Sequence, residues 1–330
     1  MPPSSLLPAH VRFVVAAIAL LLLAACGAAP VLPGPGGITF ALMGDMPYSS
    51  REVPHLDRII DEMNGLDLAF VVHVGDITSG RGPCTDEWFE ARKRQFARSR
   101  HPLVLLPGDN EWTDCHRSGA DPMERLAKLR QLFFSGEESL GVRRLKLERQ
   151  TADARAVAQF GAYPEHVRWM AADVLFVALN VPGTNNNLGR TEAMDGEHAR
   201  RMPAVLAWLE AGAKLVKQKP LSGMVVLIHA DPDFSGAYRR EGVTDGYATL
   251  RRALGEHAMA LHKPVLLVHG DEHVYRHDQP LRDPATGRRI DNFTRVEVFG
   301  SPLLGWVKGV IDPADPRLFR VGPAGPPAAF

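Results

Sequence analysis

Six residues able to hold a cation each follow an apolar run in this chain. Asp45 closes "ITFALMGD", Asp76 closes "AFVVHVGD" and Asp109 closes "PLVLLPGD". His229 lies in "MVVLIHA", and Asp271 and His273 lie in "HGDEH". Taken singly, a Gly-Asp pair after a strand reads as a turn, and a lone histidine reads as a packed core residue. The ordered set reads differently. Carboxylates gathered this closely would repel one another unless cations neutralised them. The third run continues as "LLPGDNEW", so an amide, Asn110, and a second acid, Glu111, directly follow Asp109. The alternative for that stretch is an Asx-turn with Trp112 in the core.

The order of these motifs resembles the calcineurin-like metallophosphoesterases. That family reads Asp-x-His, then Gly-Asp, then Gly-Asn-His followed by an acid, then a lone His, then Gly-His-x-His. The matching stretches are "GDMPY", "HVGDITSG", "PGDNEW", "IHADP" and "HGDEH", and "VEVFGSPLLGWVKGVIDP" looks like the family's terminal strands. The resemblance implies that Asp45, Asp76, Asp109, His229, Asp271 and His273 are metal ligands, with Asp76 bridging two ions. Several positions are altered. Pro47 stands where the family has a histidine and cannot ligate, while Tyr48 beside it offers a phenolic oxygen. Asp109 takes the place of the metal-binding asparagine. Asn110 takes that of the histidine that assists the leaving group, and would act as a neutral hydrogen-bond donor. Asp271 replaces the first histidine of the last motif, and Glu111 would orient its neighbours.

The implied activity is metal-dependent hydrolysis of phosphate esters, by in-line attack of a metal-bridging hydroxide at phosphorus. The implied cofactors are two divalent or trivalent ions. The oxygen-rich set favours manganese, iron or magnesium, with zinc possible. The implied partner is a phosphorylated small molecule. A second reading also fits the altered motifs: a non-catalytic metal- or ligand-binding lipoprotein with a degenerate phosphoesterase site.

Strands must carry these residues. Apolar runs at 38–45, 69–76, 102–109, 174–180, 224–230, 264–270 and 295–300 are continuous rather than alternating, which suits strands covered on both faces. Val53, Leu56, Ile59, Ile60 and Met63 mark one helix face. Asp121-Pro122 caps a second helix, and Val205, Leu206 and Leu209 mark a third that Pro203 starts or bends. The alternation gives an α/β fold. The resemblance makes it a four-layer α/β/β/α sandwich, a single domain over 38–320. Ligands in such sheets bind beyond the C-terminal strand ends, and a glycine before each aspartate would supply the sharp turn. Asn187, in "NVPGTNNN", could line the substrate site or support it. Arg81, Arg117, Arg190 and Arg276 lie near motif loops and could bind phosphate oxygens. His73 reads as packed, and His277 as a group supporting the site from behind.

Lys+Arg and Asp+Glu are both 38 in 330 residues, so no basic excess points to nucleic acid. No Gly-x-Ser-x-Gly elbow or phosphate-binding Gly-x-x-x-x-Gly-Lys loop is present. Residues 1–25 read as a lipoprotein signal peptide, because an apolar run ends in Leu23-Ala24-Ala25-Cys26. Cys26 would carry lipid and anchor the chain to a bacterial membrane, the periplasmic face of the outer membrane being favoured. An ordinary secretory signal is the alternative. Residues 26–37 read as a flexible tether and 321–330 as a disordered tail. In an exported protein the two remaining cysteines, Cys84 and Cys115, suggest one disulfide, or else two free thiols in separate loops. Oligomeric state is not legible.

Overall fold

Continuous apolar runs become strands with both faces buried. The computed structural model describes residues 34–236, 239 and 241–329. Its strands are β1 (Ile38–Met43), β2 (Val71–His73), β3 (Leu103–Leu105), β4 (Glu148–Arg149), β5 (Val167–Ala171), β6 (Val174–Ala178) and β7 (Gly223–Leu227). They continue with β8 (Val265–His269), β9 (Arg276–Asp278), β10 (Phe293–Glu297), β11 (Leu303–Leu304), β12 (Val307–Ile311), β13 (Phe319–Pro323) and β14 (Ala328–Ala329). One sheet has the order β13-β12-β1-β2-β3 and the other β4-β5-β6-β7-β8-β10-β9. In the first, β1, β2 and β3 run parallel; in the second, β6, β7, β8 and β10 do.

Alternate residues of each central strand face different layers. Phe40 and Leu42 of β1 meet Phe176, Val225 and Leu266 of the other sheet. Ala41 and Met43 face outward onto Leu56, Ile60 and Met63 of α1 (Val53–Asn64) and Phe89 and Phe96 of α2 (Asp86–Phe96). The same cluster takes Leu126, Leu129 and Phe133 of α3 (Pro122–Phe133). After α4 (Ala154–Phe160), the second sheet repeats the arrangement. Leu175 and Val177 pack under α5 (Glu192–Gln218) and α6 (Ala248–Leu261). The result is the four-layer α/β/β/α sandwich, and the Asp121 side chain caps α3 as expected, accepting from Glu124 N at 2.8 Å.

Two expectations are corrected. Of the two readings of Pro203, a helix start is overturned: α5 begins eleven residues earlier in the chain at Glu192, where the Thr191 side chain accepts from Met194 N at 3.3 Å, and Pro203 lies inside it. The stretch 321–330 is not a loose tail through Ala329. Phe319–Pro323 pairs antiparallel with β12, and Ala328–Ala329 pairs with β11. Its Gly/Pro/Ala composition offers little to bury, but the ladder needs only backbone groups. The signal segment 1–25, Cys26 and residues up to 33 of the tether lie outside the described residues. Gly34–Gly37 form a turn into β1, with Gly37 N donating to Gly34 O at 2.9 Å.

Candidate metal centre

All six expected ligands stand just past the C-terminal ends of parallel strands. Asp45 follows β1, Asp76 β2, Asp109 β3, His229 β7, and Asp271 and His273 β8. Four of them bend the chain themselves: φ is 54° at Asp45, 61° at Asp76, 83° at Asp271 and 64° at His273. Non-glycine residues pay for this left-handed region. The expected role of the preceding glycines is therefore corrected. Of Gly44, Gly75, Gly108 and Gly270, only Gly75 has a positive φ, 110°. The others give clearance, since a Cβ on Gly108 would run into Asp76 Oδ1 and one on Gly270 into Asp45 Oδ2.

His229 stands at the centre, fully buried. Its Nδ1 lies 3.0 Å from Val74 O, so Nδ1–H donates there and Nε2 faces the carboxylates. Nε2 is 3.2 Å from Asp109 Oδ1, 3.3 Å from Asp76 Oδ1 and 3.7 Å from Asp271 Oδ1. Two sets result, Asp45–Asp76–His229 and Asp109–His229–Asp271, each with one atom per residue mutually within 4.8 Å. His229 is common to both sets, but an imidazole nitrogen serves one ion whereas a carboxylate can serve two, so a bridging ligand would have to be one of the carboxylates.

The supporting bonds hold these carboxylates in place. Asn110 N donates to Asp76 Oδ1 at 3.0 Å, and Asn110 Nδ2 donates to Asp76 Oδ2. Glu111 Oε1 accepts from Gly108 N at 2.7 Å and Asp76 N at 3.2 Å, so it fixes the third motif onto the second. Tyr48 fills the side left open by Pro47. Its hydroxyl is 3.0 Å from Asp76 Oδ2 and 2.8 Å from His273 Nε2. His273 Nδ1–H donates to Ser301 O at 2.6 Å, and its Nε2 lies 3.6 Å from Asp45 Oδ1. His273 thus stands with Tyr48 and Asp45, outside the two tighter sets.

Electrostatically the site is short of cations. Burial, beyond the opposing pull of His229, raises the Asp76 and Asp271 carboxyls well above their ordinary range; Asp109 and Asp45 add repulsion at each. Asp45 is raised too, chiefly by burial. Burial pushes His229 down, but Asp76, Asp109, Asp45 and Asp271 override it and hold the imidazole well above its usual value. Asp109 goes the other way: bonds from His229 and Thr184 outweigh burial and lower it. Burial, with Asp76, Asp45 and Asp109 around it, raises the Tyr48 phenol. Asp45 Oδ2 is buried with no hydrogen-bond partner. Among the described residues no arginine or lysine pairs with Asp45, Asp76, Asp109 or Asp271. A hard, oxygen-rich set with one inward imidazole fits metal cations.

Several neighbours were not legible. Thr184, rather than Asn187, is the residue of "NVPGTNNN" that reaches the centre, its Oγ1 donating to Asp109 Oδ2 at 2.9 Å. Asn187 turns away; its Nδ2 donates to Glu197 Oε2 at 3.0 Å and its Oδ1 accepts from Arg190. Residues 184–187 all have positive φ, a conformation asparagine tolerates, and that run was the available signal. Glu52 ties two supports together, accepting from Tyr48 N and from Ser301 Oγ, each at 2.7 Å. His73 is packed, its Nε2 2.8 Å from Met46 O; His277 lines a separate cavity, and Arg81 is exposed. Cys84 and Cys115 form a disulfide, Cα–Cα 5.8 Å, and both sulfurs lie 3.4 Å from the Asn110 carbonyl oxygen.

No protein-family model matches the chain, and no curated protein matches it. Solved structures do. The structure of PhoD superposes with TM-score 0.50 at 12% identity, covering 86% of this chain and 66% of that one, so this chain spans just under two thirds of its length. A dimetal phosphatase from Danio rerio matches at TM-score 0.48 and 13% identity, covering 84% and 93%. Purple acid phosphatase PPD1 from yellow lupin (Lupinus luteus) seeds matches at 0.47 and 14%, covering 84% and 50%. At such identities the likeness is one of fold, and it is the metallophosphoesterase fold that the motif order implied.

Proposed function

We propose that this protein is a metal-dependent hydrolase of phosphate esters. The observation that carries the reading is a buried carboxylate cluster gathered on one histidine, His229, with no arginine or lysine paired to it among the described residues. Asp45, Asp76 and His229 would hold one ion, Asp109 and Asp271 a second, with Asp76 shared and His273 beside the first. When bound, the ions supply charge neutralisation at phosphoryl oxygens and an acidified water as nucleophile. Manganese, iron or magnesium suits this oxygen-rich set better than zinc. The protein's own groups do the rest. Asn110 and Glu111 hold Asp76 from two sides, and Tyr48 keeps a single proton between Asp76 and His273.

Metal analysis of purified protein, followed by hydrolysis of a panel of chromogenic phosphate mono- and diesters, tests this. Bound metal with turnover is expected. Bound metal without turnover across the panel would favour a non-catalytic binding protein. Export and lipid attachment at Cys26 belong to the same proposal. They are supported by the sequence before Cys26 and by a disulfide that suits an oxidising compartment. Cys26→Ala should release the protein from membranes; an unmodified N-terminus in the wild type, read by mass spectrometry, would reject the anchor.

A further inference from the structure

We infer that Arg117 and Arg190, both seated on Asp114, form a guanidinium clamp that selects terminal phosphate groups over phosphodiesters. The inference rests on the phosphoesterase reading and names its substrate class.

Asp114 follows the third motif in a 3₁₀ turn, Thr113–Ser118, and its side chain is 1% exposed. Arg117 Nη1 lies 2.7 Å from its Oδ2, and Arg190 Nη1 lies 2.7 Å from its Oδ1. One carboxylate therefore aligns two guanidinium groups. The assembly adjoins the metal centre through one hydroxyl: Thr184 Oγ1 is 2.9 Å from Asp109 Oδ2 and 3.5 Å from Asp114 Oδ2. Arg117 also stands beside Asn110. A Cβ on Gly80 would be 2.9 Å from Asn110 Oδ1 and 3.0 Å from Arg117 Nη1, so glycine there leaves the gap open. Arg190 lines a cavity of about 470 Å³ with Thr184 and Asp271. Asn187 Oδ1 accepts from its Nη2 at 3.0 Å, and its Nε is buried with no partner.

Charge and geometry give the selectivity. Two guanidiniums on one carboxylate leave one positive charge at the rim of the centre. The neighbouring Asn110 amide supplies none. A monoester dianion presents three non-bridging oxygens, so one remains for the clamp when two face the cations. A diester presents two such oxygens and one charge, and its second ester group would meet guanidinium N–H groups with little to offer them. Charge-assisted bonds from arginine to phosphate oxygens are the strong ones. Asp114 is a positioning residue, because it acts through the arginines.

The test uses manganese-loaded protein and two readouts: calorimetric binding of inorganic phosphate, and kcat/KM for 4-nitrophenyl phosphate against bis(4-nitrophenyl) phosphate. Each of Arg117→Ala and Arg190→Ala should weaken phosphate binding and monoester turnover roughly 10–100-fold, the range of a lost charge-assisted bond, while diester turnover changes far less. Arg117→Lys should restore part of the binding, and Asp114→Asn should lower monoester selectivity with metal content intact. Equal losses on both esters, or undiminished phosphate binding in Arg117→Ala/Arg190→Ala with fold and metal retained, would overturn the clamp. If the double variant does not fold, Arg117→Ala alone decides, since that side chain is 35% exposed. A wild type that cleaves neither ester yet binds phosphate through these arginines would sink the catalytic reading and keep the clamp. Turnover of monoesters unaffected by the variants would do the reverse. A metal-loaded wild type that binds no phosphate overturns the clamp outright.

Discussion

Two buried clusters of acids and histidines lie side by side in this molecule, and they are neutralised differently. The first is the candidate metal centre. The second is Asp231, His269 and Glu297, whose ligand-type atoms also lie within 4.8 Å of one another. Asp231 N even donates to Asp271 Oδ2 at 3.3 Å, joining the two. In the second cluster, Arg276 Nη1 is 3.0 Å from Asp231 Oδ2 and 3.5 Å from Glu297 Oε2, and Arg295 Nη1 is 3.5 Å from Asp231 Oδ1. Burial raises Glu297 to about 8 despite Arg276, so a proton neutralises it near pH 7, and burial lowers His269 to about 4. The second cluster balances its charge with arginines and a proton. The first, among the described residues, has neither arginine nor lysine, and without metal it is balanced only by His229 and by protons on its raised carboxyls. Residue type alone does not distinguish the two clusters; the arginines paired to one of them do.

The largest test of this contrast is Asp76→Asn. On the proposed reading it removes one charge and one of the two oxygens that Asp76 would offer to the ions, so bound metal should fall and ester hydrolysis should drop by more than about 10⁴-fold. Normal metal content and turnover in that variant would end the dinuclear reading. Chelation comes next. Metal at about 100–1,000 times its dissociation constant contributes roughly 2.7–4 kcal/mol, and urea unfolding with and without chelator should show that loss at pH 7. Asp76 and Asp271 are raised in the folded metal-free state, so they favour it at low pH and disfavour it as pH rises. The chelated protein should therefore be more stable at pH 5 than these two groups leave it at pH 7; a flat profile would count against the crowding argument.

The second cluster should respond to protein cations instead. Arg276→Met should cost roughly 1–3 kcal/mol, the buried-pair penalty discounted for partial exposure, with the bound-metal count unchanged. A newly bound ion in that variant would show that the guanidinium had been standing in a metal's place. Glu297→Gln is the mildest change. The folded carboxyl sits at about 8 against an ordinary 4.5, so the wild type loses stability as pH rises from 4.5 to 8. The glutamine variant should flatten that window and be more stable than the wild type above pH 8, read from urea unfolding across pH.

The central fold was legible because its runs are apolar on both faces: Phe40 and Leu42 serve one layer, Ala41 and Met43 the other. Helix α2 was not, since its buried residues are Phe89, Arg92, Gln95 and Phe96 and its apolar face is thin. Strands β13 and β14 escaped because backbone pairing, not side chains, places them. The positions of Asp45, Asp76, Asp109, His229, Asp271 and His273 at strand ends were legible because each follows an apolar run, and their grouping was implied by the resemblance in motif order. Thr184, Glu52 and Asp114 were not, because each earns its place by what a distant segment brings beside it.

By itself the sequence determined which strands are covered on both faces and which acids and histidines end them, since burial and strand period are local properties of the chain. Tertiary structure decided the rest. It turned His229 inward by giving its Nδ1 the Val74 carbonyl, brought Thr184 rather than Asn187 to Asp109, and set arginines against Asp231 and, among the described residues, none against Asp76. Those outcomes depend on distances between segments far apart in the chain, and electrostatic neutralisation acts through space rather than along the sequence.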